Sequence, residues 1–139
     1  MNFLLDTCVV SEALAKQPNP KVLAFVESLD PENIYLSDIT IGELFKGISK
    51  LPASYRKDKL QAWLQDELLP RYDGKIVSLD VKTWMTWGAL MARLELSGQV
   101  IPIVDSLIAA IVLEHNMTLV TRNISDFEAA GIKIVNPWQ

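Results

Sequence analysis

Short apolar runs alternate along the chain with longer stretches in which apolar residues recur every three or four positions. The longer stretches indicate amphipathic helices, and the short runs bounded by polar or turn residues indicate buried strands. The predicted strands cover residues 2–5, 34–36, 76–79, 118–121 and 132–135, and the main predicted helices cover residues 39–50, 55–69, 81–96 and 102–115. This alternation predicts an α/β fold with a mostly parallel sheet of about five strands flanked by helices.

Polar residues and prolines mark where the predicted helices begin. Ser37 and Asp38 can cap the helix that follows the second strand. Pro102 opens the most apolar helix. Ser125-Asp-Phe-Glu matches a capping box and predicts a short helix after the fourth strand. Between the first strand and a helix that Val9 leads into, we expect a short loop.

Length and composition limit the class of protein. The chain has 139 residues, which predicts a single domain spanning 1–139 that needs no disulfide or metal simply to fold. Half of the residues are hydrophobic, and no apolar run approaches the roughly 20 residues of a membrane helix. The N-terminus lacks the basic segment of a signal peptide. Together with a single cysteine, these features predict a protein of the reducing cytoplasm with no membrane partner.

The scarcity of histidine and cysteine restricts the chemistry. His115 and Cys8 are the only residues of their types, so zinc sites built on several such ligands are excluded within one chain. Any catalytic chemistry is therefore expected to use carboxylates, which as hard oxygen ligands select Mg²⁺ or Mn²⁺. The net charge of −4 argues against binding nucleic acid by bulk electrostatics. It does not argue against a site at which bound cations supply positive charge.

Two aspartates lie in strongly apolar sequence, where an unpaired charge is costly. Asp6 follows the first predicted strand, and in parallel sheets that edge is where ligands bind. Asp105 lies within the most hydrophobic predicted helix, on the face that it shares with Ile108 and Ala109. The alternative for Asp6 is a turn or cap residue, and the alternative for Asp105 is the cap of a helix that begins slightly later.

Glu43 and Asp126 are two further candidate site residues, and each has an ordinary structural role as its alternative. Glu43 flanks an apolar helix stripe, and the alternative is a solvated helix face with an ion pair to Lys46. Gly42 and Gly47 weaken this helix, which suggests close approach of another backbone or of a ligand. Asp126 follows the fourth strand, where an acid in a first helical turn can simply answer the helix dipole.

The four acids are predicted to converge. Three of them follow a strand or begin the next helix, which places them along one edge of a parallel sheet, and Glu43 can reach that edge from its helix. Carboxylates gathered in this way repel one another unless cations lie between them. A pair of magnesium ions is the usual solution, and it forms a phosphoryl-transfer site.

Four segments, in this order, resemble the PIN-domain ribonucleases, and in particular the VapC/FitB-like toxins of prokaryotic toxin–antitoxin pairs. The segments are Asp6-Thr-Cys-Val-Val-Ser-Glu, Glu43-Leu-Phe-Lys-Gly, Asp105-Ser-Leu-Ile-Ala-Ala and Thr121-Arg-Asn-Ile-Ser-Asp-Phe. The resemblance covers essentially the whole chain, including the closing Asn136-Pro-Trp.

This resemblance implies a PIN-like fold and an acidic pocket. Asp6 and Asp105 would be the principal metal ligands, Glu43 would complete the site, and Asp126 would act directly or through water. Thr121 matches the family's hydroxyl residue near the pocket, where it could orient a water molecule.

The activity implied is that of a Mg²⁺-dependent endoribonuclease, with Mn²⁺ as a possible substitute, acting as the toxin of a type II toxin–antitoxin system. Metal-activated water would cleave RNA to a 5′-phosphate and a 3′-hydroxyl. The implied protein partners are a VapB-like antitoxin and a second copy of the chain. Two alternatives stay open: a metal-dependent nuclease acting on single-stranded DNA, and a non-catalytic PIN-fold binding module.

Three local features qualify the resemblance. Cys8 stands where many relatives have asparagine, and because a thiol is a weaker hydrogen-bond partner we interpret it as a packing residue and not as a nucleophile. Lys46, Lys50 and the cluster Arg56-Lys-Asp-Lys are candidates for contact with substrate, with an ordinary solvated helix face as the alternative. A helical stripe is either core or a face for a partner; it consists of Trp84, Trp87, Leu90, Met91 and Leu94.

Overall fold

The computed structural model describes residues 1–139 and contains a five-stranded sheet. The strands are β1 (Phe3–Leu5), β2 (Ile34–Ser37), β3 (Ile76–Val77), β4 (Thr118–Val120) and β5 (Lys133–Val135). Their order across the sheet is β3-β2-β1-β4-β5, and every neighbouring pair is parallel. The predicted α/β class is confirmed, and the sheet is wholly parallel.

Helices connect the strands on both faces of the sheet. They are α1 (Thr7–Glu12), α2 (Pro20–Ser28), α3 (Asp38–Ser49), α4 (Tyr55–Ala62), α5 (Leu69–Arg71), α6 (Val81–Leu96), α7 (Ile103–Glu114) and α8 (Ile124–Phe127). Short 3₁₀ turns at Pro31–Asn33 and Glu128–Ala130 precede β2 and β5. None of these helices is both long and apolar enough to cross a bilayer.

The central strand β1 divides the hydrophobic core. Successive side chains of a strand point to opposite faces, so Leu4 packs with the apolar faces of α6 and α7, whereas Leu5 packs with α1, α2 and α3. Both leucines are almost fully buried. Because β1 pairs with β2 on one side and β4 on the other, the carboxyl ends of these three strands meet at one edge.

Two predicted helix starts were wrong. No loop follows β1: α1 begins at Thr7, and Asp6 itself accepts a hydrogen bond from the Thr7 N–H. The capping box does not form, because Ser125 lies inside α8 and Asn123, which precedes this helix, makes no side-chain cap. Pro102 directly precedes α7, as predicted.

One further helix prediction was wrong, and the stripe of α6 is only partly core. The helix predicted over 55–69 is not a continuous α-helix, because Trp63–Leu68 form a π-helical segment between α4 and α5. The stripe of α6 is divided: Leu90 and Leu94 are core residues, but Trp84 is 44% exposed. Trp87 is half-buried, and its indole N–H donates to the Ser106 hydroxyl at 2.9 Å.

Candidate active site

Asp6 is the most buried acid of the chain, at the end of the central strand. Its main-chain N–H donates to the Val120 carbonyl at 2.9 Å, which continues the pairing of β1 with β4. One carboxylate oxygen accepts the Thr7 N–H at 2.9 Å, and the other accepts the Thr121 hydroxyl at 2.7 Å. Strand pairing and two hydrogen bonds therefore fix the position and orientation of this carboxylate.

Burial raises the pKa of Asp6 above its ordinary value, since a low-polarity surrounding disfavours the charged form. The hydrogen bonds from Thr121 and Thr7 oppose this effect, and the negative charge of Glu43 adds to it. No cation of the protein compensates: the one salt bridge in the molecule joins Lys75 and Glu32 at 3.5 Å.

Asp105 lies in the first turn of α7 and is half-buried. Burial raises its pKa to about 6, with further contributions from the charges of Asp126, Asp6 and Glu43. These contributions require the four acids to lie near one another, since Coulomb interactions fade with distance. The alternative that Asp105 caps a later helix is wrong, because α7 already begins at Ile103.

Glu43 and Asp126 are the exposed members of this group. Glu43 projects from α3 and accepts a hydrogen bond of 2.6 Å from the Thr7 hydroxyl. The ion pair with Lys46 that the spacing suggested does not form. Asp126 lies in the first turn of α8, as the dipole interpretation expects, but its charge also acts on Asp105.

The two glycines beside Glu43 do not mark a close backbone approach. A Cβ atom built on Gly42 or Gly47 would meet nothing within 4 Å. The expected close approach of another backbone was therefore wrong. Gly47 instead lines an open cleft of about 290 Å³ together with Thr7, Glu43 and Arg56. The cleft lies between α1, α3 and α4, and Arg56 and Glu43 both line it.

Two further side chains complete the floor of the site. Thr121 is fully buried; its hydroxyl donates to Asp6 and accepts the Asn123 N–H at 3.1 Å. The Cys8 sulfur lies 3.6 Å from the Thr121 hydroxyl and 3.9 Å from the Asp6 carboxylate. Burial raises the pKa of this thiol, so it stays neutral at physiological pH, which supports its interpretation as a packing residue.

The hydroxyl contacts around Glu43 were not anticipated from the sequence. Thr7 contacts both Glu43 and Thr40, and Thr40 contacts Ser37. A signal was present in the spacing, because Thr40 precedes Glu43 by three residues and therefore lies on the same helix face. Thr7 follows Asp6 directly and begins α1, where the sequence pattern indicates a short loop.

The donor set fits a hard divalent cation in its chemistry, because it consists of carboxylates with no basic partner. As they stand, however, the side chains form no group of three or more acidic, cysteine or histidine residues arranged to hold a metal ion. The acids of this pocket would have to draw together around a cation to bind it.

The parallel α/β sheet and the acids at its carboxyl edge agree with the family to which the sequence is similar. The PIN domain family matches residues 3–133, and the chain belongs to this family.

Similarity to individual curated relatives gives this chain a narrower position within the family. It is 39% identical to VapC ribonuclease Y4jK of Sinorhizobium fredii over 99% of this chain and 98% of the relative. It is 38% identical to plasmid stability protein StbB of Pseudomonas syringae pv. tomato over 99% of both chains. It is 36% identical to toxin FitB of Neisseria gonorrhoeae over 98% of both chains. It therefore groups with the VapC/FitB-like members, as its motifs indicated.

Solved structures agree with this placement. The structure of FitAcB from Neisseria gonorrhoeae matches with a TM-score of 0.94 and 36% identity over 99% of both chains. VapBC2 from Rickettsia felis, bound to a DNA fragment from its promoter, matches with a TM-score of 0.80 and 32% identity over 98% of both chains.

Proposed function

We propose that this protein is a Mg²⁺-dependent endoribonuclease and the toxin of a type II toxin–antitoxin system. The observation that carries this proposal is that Asp6, Glu43 and Asp126, from separate parts of the chain, all raise the pKa of Asp105, and that no salt bridge of the protein neutralises any of the four acids. An acidic group of this kind suits a reaction in which divalent cations bring a negatively charged phosphodiester to negatively charged ligands. Relatives named as ribonucleases and as a toxin support the substrate and the biological role.

Each side chain has a definite task in this proposal. Asp6 and Asp105 are the principal ligands, Glu43 completes the site, and Asp126 contributes from the exposed side. A bound cation would supply an activated water molecule and offset the charge of the phosphate. Thr121 keeps the Asp6 carboxylate oriented through its 2.7 Å hydrogen bond. Arg56, in the adjoining cleft, is placed to contact the RNA backbone.

The proposal includes partners and a cellular location. Solved relatives are VapBC and FitAB complexes, which supports a VapB-like antitoxin as the partner of this chain. We extend the proposal to a homodimer, and Trp84, at 44% exposure, is an apolar side chain available for protein contact. We place the activity in the cytoplasm, where its RNA substrate occurs.

The test is a cleavage assay with the purified chain on matched RNA and single-stranded DNA oligonucleotides of one sequence, with Mg²⁺, with Mn²⁺ or with a chelator. We expect cleavage of RNA only, dependent on the cation, with 5′-phosphate and 3′-hydroxyl ends. Preference for DNA would favour the alternative nuclease. Absence of cleavage on either substrate, in a folded preparation, would favour the non-catalytic binding module. Sequencing of RNA 5′ ends after induction in a host would then identify the RNA that is cut.

A further inference from the structure

Thr7 contacts two of the four acids through different groups. Its main-chain N–H donates to one oxygen of Asp6 at 2.9 Å, and its hydroxyl donates to one oxygen of Glu43 at 2.6 Å. Asp6 is buried at the end of β1, whereas Glu43 is an exposed residue of α3. A single residue thus joins the rigid centre of the sheet to a side chain that would otherwise be free in solvent.

The direction of the hydroxyl hydrogen bonds follows from proton counting. The Glu43 carboxylate only accepts, so the single hydroxyl proton of Thr7 goes to it. The 3.1 Å contact between the hydroxyls of Thr7 and Thr40 then requires Thr40 to donate. Because Thr40 has no second proton, Ser37 donates to it across 3.4 Å. The three hydroxyls therefore form a chain in which every O–H points toward Glu43.

The buried end of this chain is fixed by the fold. Ser37 caps α3, and its hydroxyl oxygen accepts the Thr40 N–H at 3.2 Å. Ser37 and Thr40 are each 1% exposed. Hydrogen bonds arranged head to tail polarise one another. The cap of α3 therefore strengthens the hydrogen bond that Thr7 gives to Glu43.

We infer that Thr7 is a positioning residue that holds Glu43 beside Asp6 for divalent-cation binding, a role that rests on the proposed function of the acidic site. Two like charges repel unless something holds them, and no basic side chain pairs with either. The N–H and O–H of Thr7 supply one donor to each, so the pair stays close before a cation arrives. Groups that orient metal ligands in this way typically affect metal affinity by about 10- to 100-fold.

The experiment compares Mn²⁺ binding, measured by titration calorimetry, in the full-length chain and three variants. Thr7→Val removes the hydroxyl and keeps the shape, and Thr7→Ser keeps the hydroxyl. Thr86→Val is the matched control, because the Thr86 hydroxyl also donates to a carboxylate, that of Glu114, away from the acidic site. We expect Thr7→Val to weaken Mn²⁺ binding about tenfold, and Thr7→Ser and Thr86→Val to bind as the parent does. Thr7→Ala, which lacks the same hydroxyl, replaces Thr7→Val if the valine variant does not fold.

A second measurement does not depend on the cation. Crystal structures of the metal-free parent and of Thr7→Val should show Glu43 in contact with Thr7 in the parent and displaced in the variant. Unchanged Mn²⁺ affinity, or an unmoved Glu43, in Thr7→Val would overturn the role of Thr7. Failure of the parent itself to bind Mn²⁺ would overturn the proposed metal site, and the position of Glu43 alone would then decide whether Thr7 holds it.

Discussion

Asp6 and Asp80 make nearly the same hydrogen bonds, yet their pKa values move in opposite directions. Each accepts a main-chain N–H at 2.9 Å and a threonine hydroxyl at 2.7 Å. Asp80 caps α6 in solvent, and the bonds from Thr83 lower its pKa. Asp6 is buried, and burial raises its pKa in spite of its bonds. Hydrogen bonding by itself therefore does not distinguish a structural acid from a member of the acidic site; burial and neighbouring charges do.

The largest expected difference between the two regions is in catalysis. Asp105→Asn should reduce Mg²⁺-dependent RNA cleavage by about 100-fold or more, because a metal ion supplies several kcal/mol of transition-state stabilisation. Asp80→Asn, at the cap of α6, should cleave at the parental rate. Initial rates at saturating Mg²⁺ measure both. If Asp105→Asn keeps its activity while folded, Asp105 does not belong to the metal site.

A smaller difference should appear in stability as a function of pH without metal. The pKa of Asp105 is raised to about 6, so the folded state binds a proton more tightly than the unfolded state does. Stability from this group is therefore present at low pH and is lost as pH rises through about 6. Asp105→Asn should raise the free energy of unfolding at pH 8 by about 1 kcal/mol after allowance for partial solvent exposure, and by almost nothing at pH 4.

The pH dependence of stability expected from Asp80 has the opposite sign. Its pKa is lowered, so its stabilising effect is present at neutral pH and is lost as pH falls through its folded-state pKa. Asp80→Ala should therefore lower the midpoint of thermal unfolding at pH 8 and change it less in acid. Thermal melts of both variants at the two pH values test the comparison. Equal behaviour of the two variants would mean that burial and neighbouring charge do not separate these acids.

The smallest expected effect concerns Cys8. Its sulfur is 3.9 Å from Asp6, a weak contact, and its thiol is neutral. Cys8→Ser should retain most of the cleavage activity, because a hydroxyl can make the same contacts with Asp6 and Thr121. The ratio of rates for the variant and the parent under one set of conditions measures this effect. Complete loss of activity in a folded Cys8→Ser protein would show that the thiol has a chemical role.

The sequence predicted the sheet well because buried parallel strands leave a strong pattern. The runs before Asp6, Ser37 and Thr121 are short and apolar, and each ends in a polar residue that the structure places at one edge. The expectation that acids meet at this edge follows from the rule that parallel strands end together, with Glu43 reaching it from a helix. The Coulomb contributions to the pKa of Asp105 agree with that expectation.

Features that depend on side-chain geometry were not predictable in this way. The π-helical segment at Trp63–Leu68 has the same apolar spacing as an α-helix, so its periodicity does not reveal the extra residue. Ser125 matched a capping box, but the backbone enters α8 at Asn123 and leaves Ser125 inside the helix. The contacts of Thr7 with Asp6 and Glu43 depend on where α1 begins. A small error in the predicted start of this helix is enough to miss them.

The joining of Asp6 to Val120 and Thr121 has a consequence for how the protein can be switched off. Main-chain and side-chain bonds tie the end of β1 to the end of β4 here, and openings in buried core strands are the most costly of a domain. Distorting the floor of the pocket should therefore cost more free energy than moving its exposed side. If the chain has the proposed activity, a reversible inhibitor is expected to occupy the pocket from the solvent side, where Glu43 and Asp126 are exposed.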